Sequence, residues 1–298
     1  MKRKKRILSR MRACVFMMAI FIIISAGSSA GADLPKIKER GILQHLGVVY
    51  ANFVTGSGDG LDVELVTLFA QHLGVKYKYV RTTWGSVIPD LIGKKVKPSG
   101  NNVEIFGDVP IRGDIIANGL TILPWRQKVV DYSTPTFPTQ VWLVARADSE
   151  MEPIKPTRDI HKDIAAVKAL LKGKKVLGVS HTCLDPSLYG LEEAGAKTKL
   201  FRRNLNELAP AVINREAEAT ILDVPDALIA LEKWPGKIKV IGPISPMQEM
   251  GCAFAKTSLE LRDSFNTFFE QRKKDRTYVR LVKKYYPAVF RYYPEFFK

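Results

Sequence analysis

Two charged side chains stand out because each follows an apolar run. Arg126 comes directly after "DIIANGLTIL" and the pair Pro124-Trp125, and Asp223 follows "AEATIL". An apolar run that ends at the permanent charge of Arg126 has two interpretations. Arg126 is either a surface charge in a loop or a cation held at the floor of a site. Asp223 lies between a predicted strand and the helix "VPDAL", so it is either a ligand-binding group or the N-cap of that helix, with Asp226 as the competing cap.

Strands and helices alternate from residue 33 onwards. The segment "LDVELVTLFAQHLG" has apolar residues on one helical face and is closed by Gly74. Repeated βα units predict a doubly wound α/β architecture, and their number favours two lobes over one sheet. In open α/β sheets, ligands bind beyond the carboxyl ends of the strands. The stretches in that position are 50–53, 119–126, 180–183 and Asp223.

Several element predictions bear on these stretches. The run 114–123 is predicted to be a strand, and Pro124 suits the first turn of a short helix, where its missing N–H costs least. The stretch 94–113, rich in Pro, Gly and Asn, is predicted to be a loop or small hairpin. Residues 185–195 are predicted to form a helix, and 259–286 one or two long helical segments.

The first 32 residues have the layout of a secretory signal peptide. A basic run, "MKRKKRILSRMR", precedes an apolar segment, and small residues follow with an Ala-x-Ala pattern at Ala30 and Ala32. The apolar segment is shorter than the ~20 residues that span a bilayer, which favours cleavage over a retained anchor. A periplasmic location is therefore expected.

Charge and cysteine content narrow the class of protein. Residues 1–32 carry seven Lys/Arg and no acid, so their removal lowers the formal charge from +16 to +9. No array of basic and aromatic residues suggests a nucleic-acid groove, so no nucleic-acid partner is expected. No His or Cys spacing matches a metal site, so neither a metal nor a cofactor is expected. Cys183 and Cys252 form either one disulfide or two free buried thiols.

Three stretches together resemble the bacterial extracellular solute-binding proteins of family 3, which serve amino-acid ABC importers. They are "GDGLDVELVTLFAQHLGVKYKYVRTTWGSVIPDL", "DIIANGLTILPWRQKVVDYSTPTF" and "AEATILDVPDAL" with the later "MGCAFAKTS". The resemblance implies the type II periplasmic-binding-protein fold, two α/β lobes joined by two crossing strands. The expected division is a signal peptide at 1–32, lobe 1 at 33–136 and 248–298, and lobe 2 at 137–247.

The resemblance assigns roles to the two charged residues. Arg126 matches the position that holds the ligand's α-carboxylate, a task that suits a planar guanidinium because it donates two parallel bonds. Gly119 and Thr121 match positions whose backbone groups and hydroxyl assist. Asp223 matches the acid that receives the α-amino group.

Aromatic residues and a second loop complete the implied site. Tyr50 and Phe53 match positions that sandwich the ligand side chain, and Trp84 either lines the pocket or packs beneath it. Where many relatives have Gly-Thr at the start of lobe 2, this chain has His181 and Thr182, so His181 is either a ligand donor or a solvated loop residue. The 94–113 stretch resembles an insertion that could reach over the cleft.

Three functions remain open from the sequence. The leading one is a monomeric, non-enzymatic periplasmic protein that captures an amino acid or small carboxylate by hinge closure and delivers it to the membrane permease of an ABC importer. The second is a lyase on the same scaffold, resembling cyclohexadienyl dehydratase. The third is a sensory or envelope-associated binding module, because function does not follow from fold alone.

Overall fold

The computed structural model describes residues 33–298. The predicted signal peptide lies outside the described residues. Strands and helices follow one another along the described chain as the sequence pattern predicts. Across residues 33–298, no helix combines the length and apolar character needed to cross a membrane.

The described residues form fourteen strands. In chain order they are β1 (Ile42–Gly47), β2 (Lys76–Arg81), β3 (Lys94–Ser99), β4 (Asn102–Asp108), β5 (Ile115–Ile116), β6 (Val130–Tyr132), β7 (Phe137–Thr139), β8 (Val141–Arg146), β9 (Lys175–Gly178), β10 (Lys197–Leu200), β11 (Ala219–Asp223), β12 (Ile238–Pro243), β13 (Gln248–Met250) and β14 (Ala253–Ala255).

Ten α-helices and three short 3-10 helices accompany them within residues 33–298. The α-helices are α1 (Leu34–Arg40), α2 (Leu61–Leu73), α3 (Val87–Ile92), α4 (Pro124–Gln127), α5 (Ile160–Ala169), α6 (Leu208–Ile213), α7 (Val224–Lys233), α8 (Leu259–Lys274), α9 (Thr277–Tyr285) and α10 (Val289–Tyr292). The 3-10 helices are Pro186–Tyr189, Leu205–Glu207 and Pro294–Phe297.

Two five-stranded sheets define the two lobes. The lobe 1 sheet has the order β2-β1-β5-β14-β6, with β1 parallel to β2 and β5 and with β14 antiparallel to its neighbours. The lobe 2 sheet has the order β10-β9-β11-β8-β12, with β9 parallel to β10 and β11 and with β8 antiparallel to β11 and β12. The two-lobed α/β prediction is confirmed.

A separate antiparallel pair, β7 with β13, connects the lobes. The chain leaves the lobe 1 sheet after β6, passes through β7 into β8, and returns through β13 to β14. These are the two expected crossing strands. The expected boundaries at 136/137 and 247/248 each lie next to one of them.

The stretch 94–113 contains a two-stranded hairpin, β3 with β4, as predicted. The hairpin is a sheet of its own, and β4 exposes the side chains of Ile105 and Phe106. It therefore extends from lobe 1 without joining the lobe 1 sheet.

Aromatic rings of the C-terminal segment pack around the crossing strands. The ring of Phe137 in β7 lies 5.0 Å from that of Tyr286 and 5.9 Å from that of Phe297, and Tyr292 lies 5.4 Å from Trp142 in β8. The segment thus reaches both crossing strand β7 and lobe 2, whereas the sequence placed it on lobe 1 alone.

Two element predictions are wrong. The run 114–123 is a strand only at β5, and its remainder is irregular apart from a bridge between Thr121 and Met250. Gly119 adopts a positive φ of 65°, which turns the chain out of the sheet. The predicted helix 185–195 is a four-residue 3-10 helix followed by turns, ended by Gly190 in the left-handed conformation.

Gly119→Ala should destabilise the protein more than an equivalent change elsewhere. Its φ favours glycine, and a Cβ there would lie 2.4 Å from a ring carbon of Phe53. Gly236→Ala is a matched control, because Gly236 has a φ of +70° with no heavy atom within 4 Å of its added Cβ. We expect Gly119→Ala to lower the free energy of unfolding by about 1–3 kcal/mol more than the control, measured by urea denaturation. Equal losses would show that Phe53 moves aside freely.

Candidate ligand cleft

Arg126 is a buried cation fixed by local structure. Helix α4 begins at Pro124, as predicted, and carries the Arg126 side chain into the protein, where it is 2% exposed. Its Nη1 donates to the Thr121 carbonyl at 2.9 Å. Among the described residues its Nε has no hydrogen-bond partner, and no carboxylate forms a salt bridge with it. A buried guanidinium without a counter-ion is costly, so the arrangement suits an anionic ligand group.

Thr121 links Arg126 to the crossing strands. Its carbonyl accepts from Arg126 and from the Tyr132 hydroxyl, at 3.1 Å for the latter. Its backbone bridges to Met250 in β13. The Thr121 hydroxyl is buried and unpartnered among the described residues, which leaves it available beside the guanidinium.

Asp223 is the fully buried acid at the end of β11, with 0% of its surface exposed. Its carboxylate accepts from the Tyr50 hydroxyl, from the Cys183 thiol with Sγ 3.6 Å away, and from the Asp226 backbone N–H at 3.4 Å. The last bond is the N-cap of α7, so Asp223, not Asp226, is the cap. Burial raises the pKa of Asp223 to about 6, opposed by these bonds and by the charge of Arg126.

The bond from Tyr50 to Asp223 joins the two lobes. Tyr50 follows β1 of lobe 1, and Asp223 ends β11 of lobe 2. Beside it, the backbone N–H of Ala51 donates to Asn206 Oδ1 of lobe 2 at 3.0 Å. The lobes are therefore in direct contact around Asp223, and the cleft is closed there.

Cys183 is a site residue that the sequence did not assign. Its thiol donates to Asp223, and its carbonyl accepts from the Tyr189 hydroxyl. Burial, and secondarily the charge of Asp223, raises the pKa of Cys183 to about 12, so the thiol stays protonated. Cys183 and Cys252 are both free and buried, which settles the open question of their pairing. The sequence did contain a signal for this position, because Cys183 directly follows Thr182, the residue that matches the Thr of the family's Gly-Thr pair.

The aromatic residues separate into two groups. The Trp84 ring lies edge-on to that of Tyr50, with centroids 5.4 Å apart, and the Tyr50 hydroxyl donates to Asp223. The ring of Phe53 lies 5.2 Å from Phe137 and 5.0 Å from Tyr286, in the aromatic cluster around the crossing strands. Tyr50 thus contacts the buried acid, Trp84 packs against Tyr50, and Phe53 belongs to the core.

The backbone N–H of Gly119 already has a hydrogen-bond partner within the protein. Its N–H donates to Asp62 Oδ2 at 2.8 Å, at the start of α2. The predicted backbone contribution to a ligand therefore does not come from this N–H. Burial raises the pKa of Asp62 to about 7, although the Gly119 bond opposes the shift.

The loop with His181 and Thr182 meets the hairpin. The Thr182 hydroxyl donates to the Val179 carbonyl and accepts from Leu184 N–H, so it holds a turn together. His181 is exposed with a φ of 63°. An open cavity of about 300 Å³ is lined by this loop, by Trp125 and by the hairpin tip 98–100. The inserted hairpin thus reaches the lobe 2 side of the cleft mouth.

This geometry agrees with comparisons to known proteins. The model of the bacterial extracellular solute-binding proteins, family 3, matches residues 111–288. The chain belongs to this family. Its members' two-lobed fold, with crossing strands and a ligand cleft, is the fold described above, and the chain is a solute-binding protein.

Individual relatives are distant but extend along the chain. The L-cystine-binding protein TcyJ of Escherichia coli (strain K12) is 25% identical, over 93% of this chain and 96% of its own. A mutant of ArgBP from T. maritima, a solved structure, is 26% identical with a TM-score of 0.67, and the match covers 86% of this chain and 99% of that one. These matches show the type II periplasmic-binding-protein fold.

One relative is larger than this chain. The membrane-bound lytic murein transglycosylase F of Desulfosudis oleivorans is 26% identical over 77% of this chain. The chain spans 44% of the length of that protein. The match therefore concerns only part of the transglycosylase.

The buried acids of the site predict that stability falls as the pH rises. Unfolded Asp side chains titrate near pH 4. Burial raises these pKa values to about 6 for Asp223 and about 7 for Asp62 in the folded state. Between about pH 4 and these values, the folded state therefore keeps protons that the unfolded state has lost. From pH 5 to 7.5 the free energy of unfolding should lose roughly 1 kcal/mol through Asp223 and roughly 3 kcal/mol through Asp62.

Urea denaturation of the ligand-free protein at pH 5 and 7.5 measures this dependence. Asp223→Asn keeps an oxygen for the Tyr50 hydroxyl and for the cap, and should reduce the loss by roughly 1 kcal/mol. The same pH dependence in the variant and the wild type would show that Asp223 is ionised throughout.

Proposed function

We propose that this protein captures an amino acid between its lobes and delivers it to the membrane permease of an ABC importer. The observation that carries the proposal is Arg126, a buried cation without a counter-ion among the described residues, in the same closed cleft as a buried carboxylate, Asp223. An α-carboxylate paired with Arg126 and an α-ammonium paired with Asp223 would complement both charges. Burial strengthens such pairs, since water competes little for their hydrogen bonds.

The pairing of one ligand with both Arg126 and Asp223 would also favour closure of the two lobes. Arg126 belongs to lobe 1 and Asp223 to lobe 2, so a zwitterion that contacts both residues binds the closed form more tightly than the open one. A ligand shifts a conformational equilibrium only by such differential affinity. The protein acts as a monomer in the periplasm in this proposal, and the permease distinguishes its closed form.

A lyase on this scaffold is the second candidate. The observation that favours it is the pKa of Asp223, raised by burial to about 6, which suits a group that exchanges protons near neutral pH. Against it, the neighbouring thiol of Cys183 stays protonated and supplies no second base. Recovery of a bound ligand unchanged supports the binding protein, and turnover of a cyclic acid supports the lyase.

Arg126→Ala should abolish tight amino-acid binding. Loss of two charge-assisted bonds in a buried site amounts to about 3 kcal/mol, a factor of about 100 in Kd. Arg126→Lys keeps the charge without the planar fork, so we expect an intermediate loss. The measurement is a thermal-shift screen of the wild type against amino acids and small carboxylates, followed by calorimetry with the ligand found.

Arg291→Ala is the control, because Arg291 is exposed on α10. It should bind like the wild type. If no amino acid or organic acid stabilises the wild type, the transport proposal fails. Native mass spectrometry of the purified protein identifies a ligand that copurifies, and uptake of that ligand by cells with the Arg126→Ala variant tests delivery.

A further inference from the structure

A second inter-lobe cavity lies next to Asp223, on the side of helix α7. It has a volume of about 250 Å³. Lobe 1 contributes Asn52 and Thr55, and lobe 2 contributes Asn206, Asp226 and Trp234. Ile229 and Ala230 add apolar wall from α7. The cavity wall is therefore mostly uncharged, with one acid, Asp226, and one cation, Lys233.

Asp226 is a buried carboxylate that no described group neutralises. It is 6% exposed, and within residues 33–298 its side chain has no hydrogen bond or ion pair. Its backbone N–H donates to Asp223, so the two carboxyls stand side by side at the start of α7. Burial, and then the charge of Asp223, raises the pKa of Asp226 well above its usual range. A cation beside it would make its ionised form favourable there.

The other polar side chains around the cavity already have partners. Asn206 accepts from the Ala51 N–H, Asn52 donates to the Tyr285 carbonyl, and the Thr55 hydroxyl donates to Asp59. Lys233 is exposed at the outer wall, with Nζ 4.9 Å from the centroid of the Trp234 ring. Asp226 is thus the acid of this wall, and among the described residues its carboxylate has no hydrogen-bond partner.

We propose that Asp226 and this cavity receive the positively charged end of the ligand's side chain, so that the ligand is a basic amino acid. This inference rests on the proposed function, in which Arg126 and Asp223 bind the two α groups. Together the three residues offer one cation and two acids, which complement one carboxylate and two cationic groups. The apolar surfaces of Ile229 and Ala230 suit the aliphatic stem that separates the cationic groups of such a ligand.

Calorimetry with charged and neutral ligands of equal shape tests the inference. The wild type should bind arginine at least about 10-fold more tightly than citrulline, and lysine more tightly than norleucine, because only the cationic member of each pair neutralises Asp226. Asp226→Asn should reduce the preference to less than about 3-fold. The variant retains the backbone bond to Asp223 and loses a buried charge, so it should fold, which its thermal unfolding checks.

Lys233→Gln is the matched control. It removes a positive charge from the rim of the same cavity, and should keep or increase the preference for the cationic ligand. Arg126→Ala should weaken arginine and citrulline alike, because both have the same α-carboxylate. A loss confined to the cationic ligands in Asp226→Asn supports the inference.

Two results would overturn it while leaving amino-acid binding intact. One is equal affinity of the wild type for arginine and citrulline, and the other is an unchanged preference in Asp226→Asn. Absence of binding by every amino acid tested is a different result. It removes the proposed function, and this inference with it.

Discussion

The burial of Arg126 without a counter-ion within residues 33–298 is the constraint on which the site depends. A guanidinium removed from water must be held by structure that is stable by itself. Three features supply this: helix α4, which begins at Pro124; the Thr121 carbonyl, which accepts from Arg126; and the backbone bridge from Thr121 to Met250 in a crossing strand. The cation is therefore anchored on lobe 1, next to a crossing strand.

The acid that complements Arg126 is positioned by different means. Asp223 caps α7 and accepts from Tyr50 of the opposite lobe, so the residue that stabilises a helix end also joins the lobes. A ligand ammonium would add a full positive charge to a carboxylate whose present partners are neutral donors. The free energy gained by neutralising this buried acid would then contribute to closure of the lobes.

Relatives near 25% identity share this fold while their names state different ligands, among them L-cystine for TcyJ. A shared fold leaves the side chains that line the cleft free to differ between proteins. In this chain the wall includes Asp226, Cys183 and the tip of the hairpin formed by β3 and β4. We expect ligand selectivity to come from these residues, because their side chains can change in charge and length without altering the sheets.

The sequence by itself determined the two-lobed α/β architecture, a loop or small hairpin at 94–113 and the short helix at Pro124, and the family resemblance implied the crossing strands. Hydrophobic periodicity, turn residues and proline act locally, so their effects can be predicted without contacts between distant residues. Family resemblance selected Arg126 and Asp223. The strand predicted at 114–123 failed because the positive φ of Gly119, packed against Phe53, turns the chain after Ile116. Only the tertiary structure showed that Gly119 is bonded to Asp62, that Phe53 belongs to the core, and that Cys183 and Tyr50 both contact Asp223. These contacts join residues more than 35 positions apart, so they exist only once the chain has folded, and the contact of Tyr50 with Asp223 also requires that the two lobes pack together.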